Sequence, residues 1–124
     1  MKTILITAGN VSLKAELNDS PTAERIWQEL PIQAKVNTWG DEIYFGIPVQ
    51  AEQEPSAQAD VEVGELGYWP PGSAFCIFFG PTPASSGSRP RAASPVNRLG
   101  RVLGDATEFR KAMDGEKVRI ERAP

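Results

Sequence analysis

Val61-Glu62-Val63-Gly64-Glu65-Leu66-Gly67-Tyr68-Trp69-Pro70-Pro71-Gly72-Ser73-Ala74-Phe75-Cys76-Ile77-Phe78-Phe79-Gly80 is the stretch whose reading decides the fold. Val61 and Val63 alternate with acids, Gly64-Glu65 turns, and Leu66 to Trp69 has the aromatic and apolar character of a strand. Pro70-Pro71-Gly72 then marks a turn, in which Pro fixes one φ and Gly takes the positive φ of a type II turn. Ala74 to Phe79 is apolar at every position, which predicts a central strand covered on both faces. Adjacent strand residues point to opposite sides, so Tyr68 and Trp69 cannot both face one core.

Upstream, Ile4, Ile6 and Ala8 alternate toward Gly9-Asn10, a two-residue turn that tolerates positive φ. Val11, Leu13, Ala15 and Leu17 alternate with polar residues on the return strand. Asn18-Asp19-Ser20-Pro21 supplies N-cap candidates and a first-turn Pro. Ala23, Ile26, Trp27 and Leu30 then fall on one helical stripe that Pro31 ends, which predicts a helix over 21–30 with Trp27 as a core anchor. Residues 32–39 and 42–49 read as strands, and 51–60 as an exposed acidic loop. Downstream, 81–96 is rich in Pro and Ser and reads as a long irregular loop, followed by a short strand from Arg98 to Leu103. Asp105 and Glu108 have capping-box spacing for a second helix over 105–113, with Ala106, Phe109 and Met113 inward. Gly115 closes it, and Lys117 to Glu121 alternates as a last strand. The expected fold is mainly β: a closed, mostly antiparallel barrel with two short capping helices.

The chain has 124 residues, which fits one domain spanning 1–124. Gly and Pro number 11 each, in keeping with many turns between short strands and against a helical bundle. His is absent, which removes imidazole as base, pH switch or metal ligand. Cys76 is the single cysteine, so no intrachain disulfide or cysteine zinc cluster forms. With no base to activate it and apolar neighbours on both sides, it reads as a buried, slow-reacting thiol. Net charge is −3, divided as −7 over residues 1–88 and +4 over 89–124. The overall sign disfavours nucleic acid, although Arg89, Arg91, Arg98 and Arg101 could form a local basic face. Paired acids such as Asp41-Glu42, or Asp60, Glu62 and Glu65, lie beside turns and read as solvated rather than catalytic. No loop has the oxygen spacing of a hard-cation site. The apolar N-terminal stretch is too short for a signal-peptide core, and the longest apolar run is far below the ~20 residues of a membrane span, so a cytoplasmic location is expected.

Several segments carry a resemblance. Pro21 to Leu30 is similar to the first cyclophilin helix, which runs Pro-x-Thr-Ala-Glu-Asn-Phe and then Leu. Leu99-Gly100-Arg101-Val102 is similar to that family's Phe-Gly-x-Val strand, and Gly72 to Ile77 to its Gly-Ser-Gln-Phe-Phe-Ile. A closer likeness is to small prokaryotic cyclophilin-like proteins of unassigned function. These carry Gly-Asp-x-x-Tyr-Phe-Gly-x-Pro, here Gly40 to Pro48, then Gly-Tyr-Trp-Pro-Pro-Gly, here Gly67 to Gly72, and Phe-Phe-Gly-Pro-Thr-Pro, here Phe78 to Pro83. The resemblance covers almost the whole chain and implies a cyclophilin-like barrel. Prolyl isomerases of the superfamily also carry Phe-His-Arg and Gln-Gly-Gly-Asp, and this chain has neither. The place of their arginine falls near Lys35, that of a pocket phenylalanine at Cys76, and that of a glutamine at Ala74. Lys does not replace a planar, multi-donor guanidinium on a twisted prolyl amide. The resemblance thus implies the fold and not the catalytic constellation.

No catalytic residue, metal or cofactor is expected. Trp39, Tyr44, Tyr68, Trp69 and Phe79 either fill the barrel or line a concave apolar wall. In the second case Arg89, Arg91 and Asn97 would rim a groove suited to a peptide or an anionic small molecule. The function expected first is a peptide- or small-ligand-binding module, monomeric or in a small homo-oligomer, with no membrane or nucleic-acid partner. A weak prolyl isomerase is the second reading, and another enzyme or a regulator of small-molecule metabolism the third.

Overall fold

The computed structural model describes residues 2–124. Strands β1 (Lys2–Ala8) and β2 (Val11–Leu17) form the expected hairpin, with Ala8 opposite Val11 and Gly9 at a φ of 57° in the turn. Helix α1 (Pro21–Glu29) starts at Ser20, whose side chain accepts from the Ala23 N–H at 3.3 Å. Then come β3 (Ile32–Lys35), β4 (Asn37–Thr38), β5 (Glu42–Gly46), β6 (Gln58–Asp60), β7 (Glu65–Trp69), β8 (Ala74–Phe78), β9 (Arg91–Val102) and β10 (Lys117–Arg122). The strands form one sheet in the order β3-β10-β1-β2-β9-β7-β8-β5-β4, with β6 paired to β9, and every pairing is antiparallel.

The two ends of this sheet, β3 and β4, are consecutive in the chain and separated only by Val36. The expected barrel is therefore not closed by a hydrogen-bonded ladder. Val36 explains the break, since its N–H donates to Glu116 O at 2.9 Å and its carbonyl accepts from Gly115 N–H at 2.8 Å. The chain turns there from one neighbour, β10, to another, β5. This interruption divides the strand expected over 32–39 and leaves Trp39 beyond β4.

The main core lies on the concave side. Ile4, Ile6, Ile26, Ile43, Leu66, Tyr68, Phe75, Ile77, Leu99, Phe109 and Ile120 are all fully buried there. Gly100 lets the strands close up: it faces both Leu17 of β2 and Leu66 of β7, and has a φ of 146°. A Cβ on it would stand 1.8 Å from Glu16 O, so no other residue fits.

Other expectations are corrected. The segment over 105–113 is a 3-10 helix, Ala106–Lys111, capped by Asp105. Three residues per turn align Ala106, Phe109 and Ala112 on the core, so Met113, expected inward on a 3.6-residue period, is 68% exposed. Trp27 is half-buried, with the Arg122 guanidinium 4.4 Å from its ring centre, and packs on the core margin. Pro70–Gly72 is a single 3-10 turn, and the left-handed residue is Ser73, with a φ of 47°, not Gly72. The irregular loop expected over 81–96 ends earlier, because β9 begins at Arg91 and draws Gln58–Asp60 of the acidic loop into pairing. No helix among the described residues is long and apolar enough to cross a membrane.

Candidate functional site

Alternation along β5, β7 and β8 creates a second, outward face. Tyr44 lies opposite Cys76 and Glu42 opposite Phe78, while Gly67 lies opposite Cys76 and Trp69 opposite Ala74. The side chains of Glu42, Tyr44, Trp69, Ala74, Cys76 and Phe78 therefore share the side away from the main core. The first half of β9 covers them with Ala92 and Val96, making a satellite cluster with Val61. Val96 can settle over β7 because Gly67 has no side chain; a Cβ there would lie 2.8 Å from Val96 Cγ2.

This cover is incomplete. A cavity of about 210 Å³ remains, lined by Trp39, Glu42, Tyr44, Trp69, Cys76, Ala92, Ala93 and Val96. Trp69 is held from two sides. Its Nε1–H donates to Ser94 Oγ at 2.7 Å, and its ring lies against Gly72, where a Cβ would stand 2.8 Å from Cε3 and Cζ3. Trp39 is placed by its backbone N–H, which donates to Glu42 O at 2.9 Å. The neighbouring Asp41 takes an ion pair from Arg110 at 2.8 Å and anchors the turn to the 3-10 helix.

The central polar pair is Glu42 and Cys76. Glu42 is only 5% exposed. Burial pushes its carboxyl up to about 7, and the nearby Cys76 thiol offsets part of that rise. Burial pushes the Cys76 thiol well above its ordinary range, and the nearby Glu42 carboxyl adds to the rise. The thiol is thus a poor nucleophile near neutral pH. The carboxyl is close to half-protonated there and can donate or accept a hydrogen bond.

The sequence candidates fall into two sets. Trp39, Tyr44 and Trp69 stand together on the cavity. Tyr68 points into the main core, where its hydroxyl donates to Val49 O at 2.7 Å and accepts from Ala51 N–H at 3.2 Å. Phe79 is also in that core, with the Arg110 guanidinium 5.7 Å from its ring centre. Asn97 is fully buried and ties the 51–57 segment to α1, donating to Thr22 Oγ1 at 3.0 Å and Glu52 O at 2.9 Å and accepting from Glu54 N–H at 2.8 Å. Arg89 pairs with Glu62 at 3.1 Å and Arg91 with Asp60 at 2.7 Å, and neither lines the cavity. Arg98 pairs with Glu65 and Arg101 with Glu16, so every arginine of the supposed basic face has an acidic partner. Lys35 is exposed on β3 opposite Lys117, outside the cavity lining.

Glu42 is the residue that sequence reasoning missed, since an acid next to Gly40-Asp41 reads as solvated. The signal was its spacing from Tyr44, which puts both on one strand face across from Cys76 and Phe78. Ala92, Ala93 and Val96 were hidden in the segment taken for loop. No cluster of three or more Cys, Asp or Glu side chains suited to a metal ion occurs among the described residues.

The family model described as cyclophilin-like matches residues 2–121. This chain belongs to the cyclophilin-like family. A hypothetical protein from Archaeoglobus fulgidus, known from a solution structure, is 38% identical over 98% of this chain and 95% of that one, with a TM-score of 0.84. McbB, solved in complex with tryptophan, superposes with a TM-score of 0.70 at 16% identity, covering 96% of this chain and 44% of McbB. That second likeness is one of fold. A comparison with curated proteins gave no match. Cyclophilin-like membership thus accounts for the sheet and the helices.

Proposed function

We propose that this cyclophilin-like protein is a binding module that takes a small molecule, or one side chain of a peptide, into the cavity between β5, β7, β8 and β9. The observation that carries this reading is the convergence of Trp39, Tyr44 and Trp69 on one buried carboxyl, Glu42, in a space left unfilled. Aromatic walls with a single polar group are the ordinary make-up of a ligand site. Prolyl isomerisation is less well served. The barrier to X–Pro rotation is ~20 kcal/mol, and lowering it needs a donor aimed at the rotating amide. Among the described residues no arginine or lysine lines the cavity, and Lys35 stands outside it.

A fragment library screened by thermal shift, with hits mapped by NMR, tests the reading. Hits should raise the melting temperature of the wild type, shift resonances of cavity residues, and lose their effect in Trp69→Ala. Hits that map elsewhere and ignore Trp69→Ala would overturn it. So would a protease-coupled assay giving prolyl isomerase efficiency within about tenfold of an ordinary cyclophilin, since loss of one transition-state donor costs about a hundredfold or more.

A further inference from the structure

We infer that the cavity recognises a methylated ammonium group, with the rings of Trp39, Tyr44 and Trp69 as its walls and Glu42 as its counter-charge; this rests on the binding-module reading above. Three features favour a cation over other occupants. First, indole and phenol rings line the cavity, and electron-rich rings of this kind attract a cation within about 6 Å of a ring centre. Second, the chain's own cations already cap other aromatic rings: Arg122 and Lys2 lie over Trp27, and Arg110 over Phe79. Among the described residues none lies over Trp39, Tyr44 or Trp69, so the cavity rings are open to a cation from outside. Third, the charge pattern is one-sided, because among the described residues Glu42 is the only carboxyl on the cavity and no Lys or Arg accompanies it.

Other ligand classes fit worse. An anion would meet the Glu42 carboxylate and no cationic donor. A neutral apolar group would strip water from a carboxyl that is already 5% exposed and give it no partner in return. A methylated ammonium satisfies both walls and carboxylate at once. It also supplies a counter-charge that offsets the burial holding Glu42 partly protonated, so binding should expel a proton near neutral pH. The titratable groups facing Glu42 are Cys76 from β8 and Tyr44 from its own strand; β7 and β9 present only Trp69, Ala92, Ala93 and Val96, and the preceding turn presents Trp39.

The test uses isosteric pairs in calorimetric titrations of the whole protein. Choline is compared with 3,3-dimethylbutan-1-ol, its neutral carbon isostere, and a trimethyllysine peptide with the same peptide carrying 2-amino-7,7-dimethyloctanoic acid, in which carbon replaces the charged nitrogen. The first pair reports a free small molecule and the second a peptide side chain. The cation of at least one pair should bind about tenfold or more tightly than its neutral partner. Glu42→Gln should lose about that factor, and choline or peptide affinity should rise with pH in the wild type and stay flat in the variant. Trp69→Leu and Tyr44→Leu, checked for folding by circular dichroism, should abolish the preference for charge. Equal binding of a neutral isostere with cavity resonances shifting would overturn the ammonium assignment and leave the binding reading standing. Failure of both cations while fragments still occupy the cavity would do the same. An empty cavity in both experiments would remove the binding reading as well.

Discussion

The two faces of β5, β7 and β8 are made by alternate residues of the same strands, yet one is a packed core and the other a cavity. On the inner face Ile43, Phe45, Leu66, Tyr68, Phe75 and Ile77 are buried, with the Phe45 and Phe75 rings stacked at 5.4 Å between centres. The sheet curls over this face, so these side chains join one cluster with residues of the far strands and of α1. The outer face is covered chiefly by the first half of β9, whose contribution is Ala92, Ala93 and Val96, with Val61 and Trp39 at its margins. Small side chains in a single covering strand cannot fill the space above two tryptophans and a tyrosine. A void of about 210 Å³ follows from what covers the sheet, whereas stability follows from what the sheet encloses.

If this division holds, the largest stability loss comes from the inner face. Phe75→Ala should cost about 3–5 kcal/mol in denaturant unfolding, because it opens a cavity in a dense core. A cost near that of an exposed position would break the contrast. Next comes Glu42→Gln on the outer face, where the effect depends on pH. The folded-state carboxyl titrates at about 7 against an ordinary 4.5, so the folded chain holds its proton more tightly than the unfolded one. The stability due to the protonated form is complete below about pH 4.5 and is lost as pH rises through 7. The variant should therefore gain on the wild type across that window, by on the order of 3 kcal/mol at the upper end. Melting curves at several pH values would check this, and a constant difference would show that Glu42 is not desolvated as described. The smallest expected effect is Ser94→Ala, which removes the partner of Trp69 Nε1 and should cost about 1 kcal/mol while weakening fragment binding. Unchanged binding would mean that the position of Trp69 does not depend on that hydrogen bond.

The enclosed half of the molecule was legible in the sequence, and the outer half much less so. Alternation from Ile4 to Leu17 and the apolar run at Ala74 to Phe79 report burial directly, because each side chain's character matches the face it occupies. The cavity depends instead on mismatches. Glu42 is an acid under cover, and Ala92 to Val96 is a strand written in small residues, Ser and Pro, which single-sequence patterns read as loop. The aromatics gave the right chemical character but no way to tell Trp69 from Tyr68, since their assignment to faces depends on register with Ala74 and Phe75. Arg89, Arg91 and Asn97 misled for another reason. Their charge and hydrogen-bonding capacity is spent on Glu62, Asp60 and the 52–54 backbone, partners that only the folded chain brings near.

The break at Val36 has a consequence for how this sheet meets other chains. Exposed sheet edges offer unpaired amide rows on which a foreign strand can dock and aggregation can begin. Here the two terminal strands are neighbouring halves of one short segment, four residues in β3 and two in β4, and the preceding Pro31 lacks an N–H to donate. Val36 spends both its backbone groups on the 115–116 turn. What would be a long sticky margin in an open sheet is reduced to a few amides flanked by the charge of Lys35. The break between β3 and β4 thus guards this margin against strand addition almost as a sealed barrel would.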